Sequence, residues 1–475
     1  MAAAGEGKRG EQVGRGGERV RARTATASPE ALRTDHLWAY NLQAPLRVAT
    51  RGEGCYLYDA EGRRYLDGAA GFVVANLGHG NAEVADAMAQ QARTLALAPF
   101  TVFVNEPALR LAARLARYTP GDLDHAVFTS GGSEAVEVAV KLARQYWVEA
   151  GQPSKYKIVG RWQSYHGNTL GTLAIGGNRP RRRPYAPLLV DLPKIPACYP
   201  YRRPPEVPAA EWGPRGADAL EATILAEDPD TVAAFIAEPV VGATLGSAPA
   251  PPGYFQRIRQ ICDRYDVLFI ADEVMTGFGR TGRRFGVEHW DVVPDLMAVA
   301  KGITAGYAPL GAAICTARVY EAFRPPRGSG QFVNLFTYGA NPLCCAVGDV
   351  VLRLTEEQDL AGRADRVGAY LRRRLEPLTD SPLVGDVRGL GLMLGLEFVQ
   401  DKATKEPFPP AARIAARVAE AALQRGLFVY PGTGTVDGER GDHLMVAPPL
   451  VITEAECDEL AANLTAALDA VAGEL

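Results

Sequence analysis

Nowhere among the 475 residues is there a run of roughly 20 uncharged apolar side chains, the length a membrane-crossing helix needs, and no membrane partner is expected. Cysteine is scarce, with seven residues scattered from Cys55 to Cys457. No two stand as CxxC, and Cys344 and Cys345 are adjacent in an apolar run, so they read as reduced thiols of a cytoplasmic protein rather than a disulfide framework or a zinc site. An excess of either charge is also missing: Lys and Arg total 51 against 55 Asp and Glu, a net of −4. That balance gives no electrostatic reason to expect nucleic acid as a partner. Large hydrophobic residues are nearly absent from residues 1–33, which lack the apolar centre of a signal peptide and read as a disordered extension.

What remains has the composition of a globular protein, 47% apolar and 22% charged, and is long enough for two or three compact units. GCYLYDAEGRRYLDGAAG (54–71) has two short apolar runs around Ala60-Glu61-Gly62 and predicts a hairpin. Residues 82–95, 106–118 and 133–147 carry apolar positions at helical spacing. KIVGR (157–161) reads as a strand. TVAAFIAEPVV (231–241), DVLFIADEV (266–274) and DLMAVAKGI (295–303) are continuous apolar runs, the pattern of strands buried on both faces of a parallel sheet. A helical stretch near Gln256–Arg264 separates the first two runs. Strand–helix–strand succession predicts an open α/β sheet. The proline-rich stretch 179–215, with Arg179, Arg181, Arg182 and Arg183, reads as a surface excursion. Short strands around 387–399 followed by helices suggest a smaller α+β domain. The expected division is a segment 34–81 joining the small domain, a large α/β domain 82–336, and the small domain 337–475.

In open α/β sheets ligands collect at the carboxyl ends of the strands, where Glu238, Asp272 and Lys301 follow the three apolar runs. A carboxylate at a strand end is commonly only a cap or an ion-pair partner. A lysine ending an apolar strand is less ordinary, because desolvation lowers its pKa and leaves a nucleophilic amine. SGGSEAVE (130–137) places two glycines and a serine at the start of a helix, where free amides and the helix dipole can meet a phosphate. An amine for a carbonyl, an anion for a ring nitrogen and a phosphate cradle are together what pyridoxal 5'-phosphate (PLP) requires.

The sequence also resembles the class III, fold type I, PLP-dependent aminotransferases from about residue 35 to the C-terminus. The resemblance is closest to the pyruvate-using omega-amino acid and amine transaminases. It is carried by SGGSEAVE (130–137), GRWQSYHGNT (160–169), AAFIAEPVVGA (233–243), LFIADEVMTGFGRTG (268–282), AKGITAGYAPLGA (300–312), FTYGANP (336–342) and GDHLMVAPPLVIT (441–453). It implies that Lys301 forms the Schiff base with PLP and carries the proton, and that Asp272 pairs with the pyridinium nitrogen. It further implies Tyr165 and Val274 on the two ring faces, Gly132 and Ser133 at the phosphate, and Thr337 reaching the phosphate of a neighbouring subunit in a homodimer. His166, beside Tyr165, reads as a structural histidine, and Arg280 as an ion-pair partner.

The chain departs from the family at the last block. Met445 stands where members that use 2-oxoglutarate carry an arginine, so carboxylate capture by that route is lost and Glu238 lacks that partner. Arg440 resembles the mobile arginine of the pyruvate-using members; a solvated surface arginine is the equally weighted reading. Val73 stands where relatives often place an aromatic in the substrate pocket. The expected activity is transfer of an amino group from an amine or amino acid to a small oxo acid, pyruvate favoured. Aminomutase, racemase, decarboxylase or phospho-lyase chemistry on the same scaffold is the alternative.

Overall fold

A computed structural model describes residues 37–38, 40–42 and 46–475, and the extension expected over 1–33 lies outside the described residues. The hairpin around Ala60-Glu61-Gly62 is present within an antiparallel meander of β1 (Ala49–Glu53), β2 (Tyr56–Asp59) and β3 (Arg64–Asp67). Asp59 closes its turn by accepting from the amides of Glu61 and Arg63 and from the Tyr65 hydroxyl.

A seven-stranded sheet dominates the chain. Its strands are β4 (Leu123–Thr129), β5 (Lys157–Arg161), β6 (Lys194–Ile195), β7 (Val232–Ala237), β8 (Leu268–Asp272), β9 (Leu296–Val299) and β10 (Gly311–Thr316), in the order β4-β10-β9-β8-β7-β5-β6. In this sheet β10 alone runs against its neighbours, and the remaining pairings are parallel. Two successive antiparallel pairings leave β4 pointing the same way as β9, so six strands deliver their carboxyl ends to one edge.

Every residue of β7, β8, β9 and β10 is buried, which is why their sequences show no polar alternation. Successive side chains point to opposite faces. Phe235, Phe269 and Met297 therefore pack with Phe255 and Ile258 of the helix Tyr254–Arg264. Ala234, Ile236, Ile270 and Leu296 pack with Val136, Ala139 and Ala143 of the helix Gly132–Glu149 on the other side. The Lys155 ammonium, buried beneath this layer, donates to the carbonyls of Pro229, Val232, Tyr265 and Asp266 and pins the entering ends of β7 and β8.

The stretch 179–215 differs from a plain surface excursion. Lys194–Ile195 extends the sheet as edge strand β6, and its last residues open the helix Ala209–Glu227. Beyond it, β11 (Val384–Leu390), β12 (Met393–Phe398), β14 (Tyr430–Thr433) and β15 (Asp442–Val446) form an antiparallel sheet in the order β11-β12-β15-β14, while β13 (Leu427–Phe428) pairs in parallel with β3. The last helix, Glu454–Ala472, starts at a capping box between Thr453 and Glu456. Glu397 of β12, fully buried, is held by Arg202 at 2.6 Å, Arg388 at 3.0 Å, and the hydroxyls of Tyr199 and Thr435. That cluster ties the 179–215 stretch to the C-terminal sheet. Among the described residues no helix is long and apolar enough to cross a membrane.

Candidate active site

The shared carboxyl edge of the sheet opens into a cavity of about 410 Å³. Asp272 ends β8, Lys301 and Glu238 follow the adjacent strands β9 and β7, and all three line it. Ser130, Gly131, Gly132 and Ser133, after β4, and Tyr165, His166 and Gly167, after β5, complete much of its wall. The sheet topology thus gathers residues as far apart in sequence as Ser130 and Lys301.

Lys301 lies in the left-handed region, with φ of 46°, a conformation uncommon for a residue with a side chain. Its ammonium donates to the carbonyl of Phe72 at 2.9 Å. Burial pushes the amine down to about 8, against the attraction of Asp272. An amine shifted that far has a substantial neutral, nucleophilic fraction near neutral pH.

Asp272 is buried, and its carboxylate accepts from the amide of Val274 at 3.1 Å and stands 2.7 Å from Nδ1 of His166. His166 was expected as a structural histidine. Its position is more particular than that, since it orients the carboxylate that faces the cavity. A carboxylate at Oδ2 requires the hydrogen on Nδ1, and Nε2 is then a buried atom with no partner among the described residues.

The helix Gly132–Glu149 starts at Gly131 with no side chain capping it, leaving first-turn amides free at the cavity wall. A Cβ on Gly132 would meet Cγ1 of Val274 at 2.9 Å, so glycine keeps this approach open. Ser133 Oγ accepts from the amide of Asn168. Tyr165 and Val274 both line the cavity. Arg181 lies with its guanidinium 4.4 Å from the centre of the Tyr165 ring.

Three residues singled out in the sequence are not on this wall. Val73 is buried in the core, with φ of 61°, and the adjacent Val74 lines the cavity instead. The irregular backbone at 70–73 reverses the side that the resemblance suggests. Arg440 is exposed, with Nε bonded to Asp437 at 2.8 Å and Nη1 3.7 Å from Glu406. Thr337 is exposed and outside the cavity of its own chain. Arg280, expected in an ion pair, is fully buried and donates to the carbonyls of Leu392 and Pro448 and to Oδ1 of Asn76, all uncharged acceptors. Met445 is buried in β15 opposite Gly395 and Tyr430 and carries no charge to the cavity.

The residues present fit PLP. The uncapped helix start suits its phosphate, the buried carboxylate its ring nitrogen, and the depressed amine its carbonyl. A mostly parallel sheet carrying these groups on its carboxyl edge is the α/β fold of the fold type I PLP-dependent transferases. The family model for class III aminotransferases matches residues 38–468. A probable aminotransferase of Mycobacterium tuberculosis is 42% identical over 92% of this chain and 93% of its own. A putrescine–pyruvate aminotransferase of Pseudomonas aeruginosa is 35% identical over 90% of this chain and 91% of its own. The crystal structure of a thermostable (S)-enantioselective omega-transaminase from Thermomicrobium roseum superposes with a TM-score of 0.85 at 40% identity, covering 92% of this chain and 96% of that one. The chain belongs to the class III aminotransferases and is a PLP-dependent transaminase.

Proposed function

We propose that this enzyme moves an amino group from an amine or amino acid donor to a small oxo acid, pyruvate favoured, with Lys301 as the covalent anchor of PLP. The observation that carries the reading is the placement of Lys301 and Asp272 at the carboxyl ends of adjacent parallel strands, where both line one cavity. When bound, PLP supplies the electron sink for the charge released at the donor carbon. Asp272, oriented by His166, holds the ring nitrogen in its protonated form. Nζ of Lys301, once free, would take the proton from the donor carbon and deliver it to the carbon that had carried the cofactor's carbonyl, the 1,3-shift that amino transfer requires. Gly132 and Ser133 bind the phosphate, and Tyr165 and Val274 confine the ring.

The same reading makes the protein a cytoplasmic homodimer. Leu97, Phe100, Val102 and Phe103 are exposed, as are Leu335 and Tyr338. The two segments are joined by hydrogen bonds from Asn105 to Ala340 O and from Asn341 to Ala96 O. Exposed apolar surface of this extent suits a second copy, and it surrounds Thr337, the residue that reaches the partner's phosphate site. The described residues of the 34–81 segment join the small domain 337–475 through the β3–β13 pairing, with 82–336 as the large domain.

Acceptor choice is the test of the finer reading. With a saturating amine donor, pyruvate is expected to give alanine at least about tenfold faster than 2-oxoglutarate gives glutamate, because Met445 supplies no cation for a second carboxylate. Equal or faster use of 2-oxoglutarate contradicts the pyruvate preference while leaving transamination standing.

A further inference from the structure

Glu238 is left without a task by the chemistry above. It follows β7, is 5% exposed, and its exposed part lines the cavity beside Asp272. Its closest counter-charge is weakly placed: Arg161 Nη2 lies 3.9 Å from Oε2 and spends its 2.7 Å hydrogen bond on the Glu238 backbone carbonyl. The amide of Tyr165 reaches Oε2 only at 3.4 Å. No other hydrogen bond to this carboxylate is found among the described residues.

The surrounding charges define what such a group can receive. Asp272 faces the ring nitrogen and Lys301 the cofactor carbonyl, so Glu238 is the remaining side-chain charge on the cavity wall. The arginine that could have neutralised it is Met445, packed among apolar neighbours in the core. Arg440 is turned outward onto Asp437. Burial, with the repulsion of Asp272, pushes Glu238 up to about 7 against the weaker attraction of His166 and Arg161. A cationic group entering the cavity is the partner that restores the carboxylate, through a charge-assisted hydrogen bond in a water-poor setting.

We propose that Glu238 is the specificity-determining residue of the donor site, receiving the distal ammonium of a diamine whose other amine is transferred. The assignment rests on the aminotransferase reading and gives it a substrate class. A diamine enters with one amine at Lys301 and its apolar methylenes along the wall between Lys301 and Glu238. A dicarboxylate donor meets an anion at the same place. Protonated, Glu238 no longer repels the single carboxylate of a small oxo-acid acceptor, so both half-reactions fit one pocket. The similarity to a relative that acts on putrescine is consistent with this charge pattern.

The test compares putrescine with n-butylamine, the same carbon chain lacking the second nitrogen, in the donor-only half-reaction of the holoenzyme. Wild type, Glu238→Gln and Glu238→Asp are followed by the loss of the visible cofactor band. In Glu238→Gln the putrescine-to-butylamine ratio of kcat/KM is expected to fall about 10- to 100-fold, the worth of one hydrogen bond between charged groups, chiefly through KM. Glu238→Asp, which keeps the charge on a shorter arm, should retain much of the ratio and shift preference toward cadaverine, one methylene longer. A ratio unchanged by Glu238→Gln, or lost equally in Glu238→Asp, overturns the assignment. Wild type that reacts with L-alanine but not putrescine overturns it as well. Wild type that reacts with no amine contradicts the aminotransferase reading on which it rests.

Discussion

Replacing Lys301 with alanine is expected to lower the rate of amino transfer by about 10⁴-fold or more. Two functions are lost together: the amine that holds the cofactor covalently and the base that moves the proton of the donor carbon. No neighbour can substitute, because among the described residues Lys301 is the single lysine on the cavity wall. The folded state should tolerate the change. The ammonium's one hydrogen bond in the structure is to the Phe72 carbonyl, and removing a desolvated cation relieves its burial. The measurement is steady-state turnover alongside the visible spectrum and the thermal midpoint. Loss of turnover with a near-normal midpoint is the expected result. A variant that retains more than about a hundredth of wild-type turnover would show that another group supplies the base.

Substitution of Asp272 has the second-largest expected effect. Asp272→Ala should slow the donor half-reaction by about 10²–10³-fold, the usual consequence of removing one charge aimed at a reacting system in a buried site. It also leaves Nδ1 of His166 without an acceptor, a loss of about 1–3 kcal/mol in stability. Asp272→Asn separates the two effects. It keeps a hydrogen-bond acceptor for His166 but removes the charge, so its midpoint should recover while its rate stays low. The visible band should persist in both variants, since Lys301 is untouched. A half-reaction in Asp272→Asn within a factor of about three of wild type would mean that the carboxylate does not act on the ring nitrogen.

The central strands were legible because burial on both faces demands unbroken apolar sequence. AAFIA, LFIA and LMAV are such runs, and each is followed closely by the polar residue, Glu238, Asp272 or Lys301, that the topology turns into the cavity. Strands β4 and β10 were harder to see. Leu123–Thr129 mixes Asp124 and His125 with apolar residues, and Gly311–Thr316 is built of small side chains with no clear period. Their pairing matters to the site, because the turn after β4 carries Gly131 and Gly132. Edge strand β6 is two residues long, too short to signal itself within a proline-rich stretch.

The cavity wall was less legible where the backbone is irregular. Positive φ values at Ala70, Gly71 and Val73 decide that Val74 rather than Val73 faces inward, and sequence spacing contains no trace of that reversal. The bond between His166 and Asp272 spans 106 positions and depends on β5 and β8 sharing an edge. One signal was available: histidine directly beside an aromatic in a motif already assigned to the site. Arg440 could not be placed from sequence because its partners, Asp437 and Glu406, belong to surface loops.

The most direct test of the account is to add L-alanine or putrescine, without any oxo acid, to the purified PLP-loaded protein while recording its visible absorbance. The account predicts a band that is absent in Lys301→Ala, bleaches as the donor gives up its nitrogen, and returns when pyruvate is added. A protein that forms no Lys301-dependent band when PLP is supplied would contradict the cofactor assignment and the central claim with it.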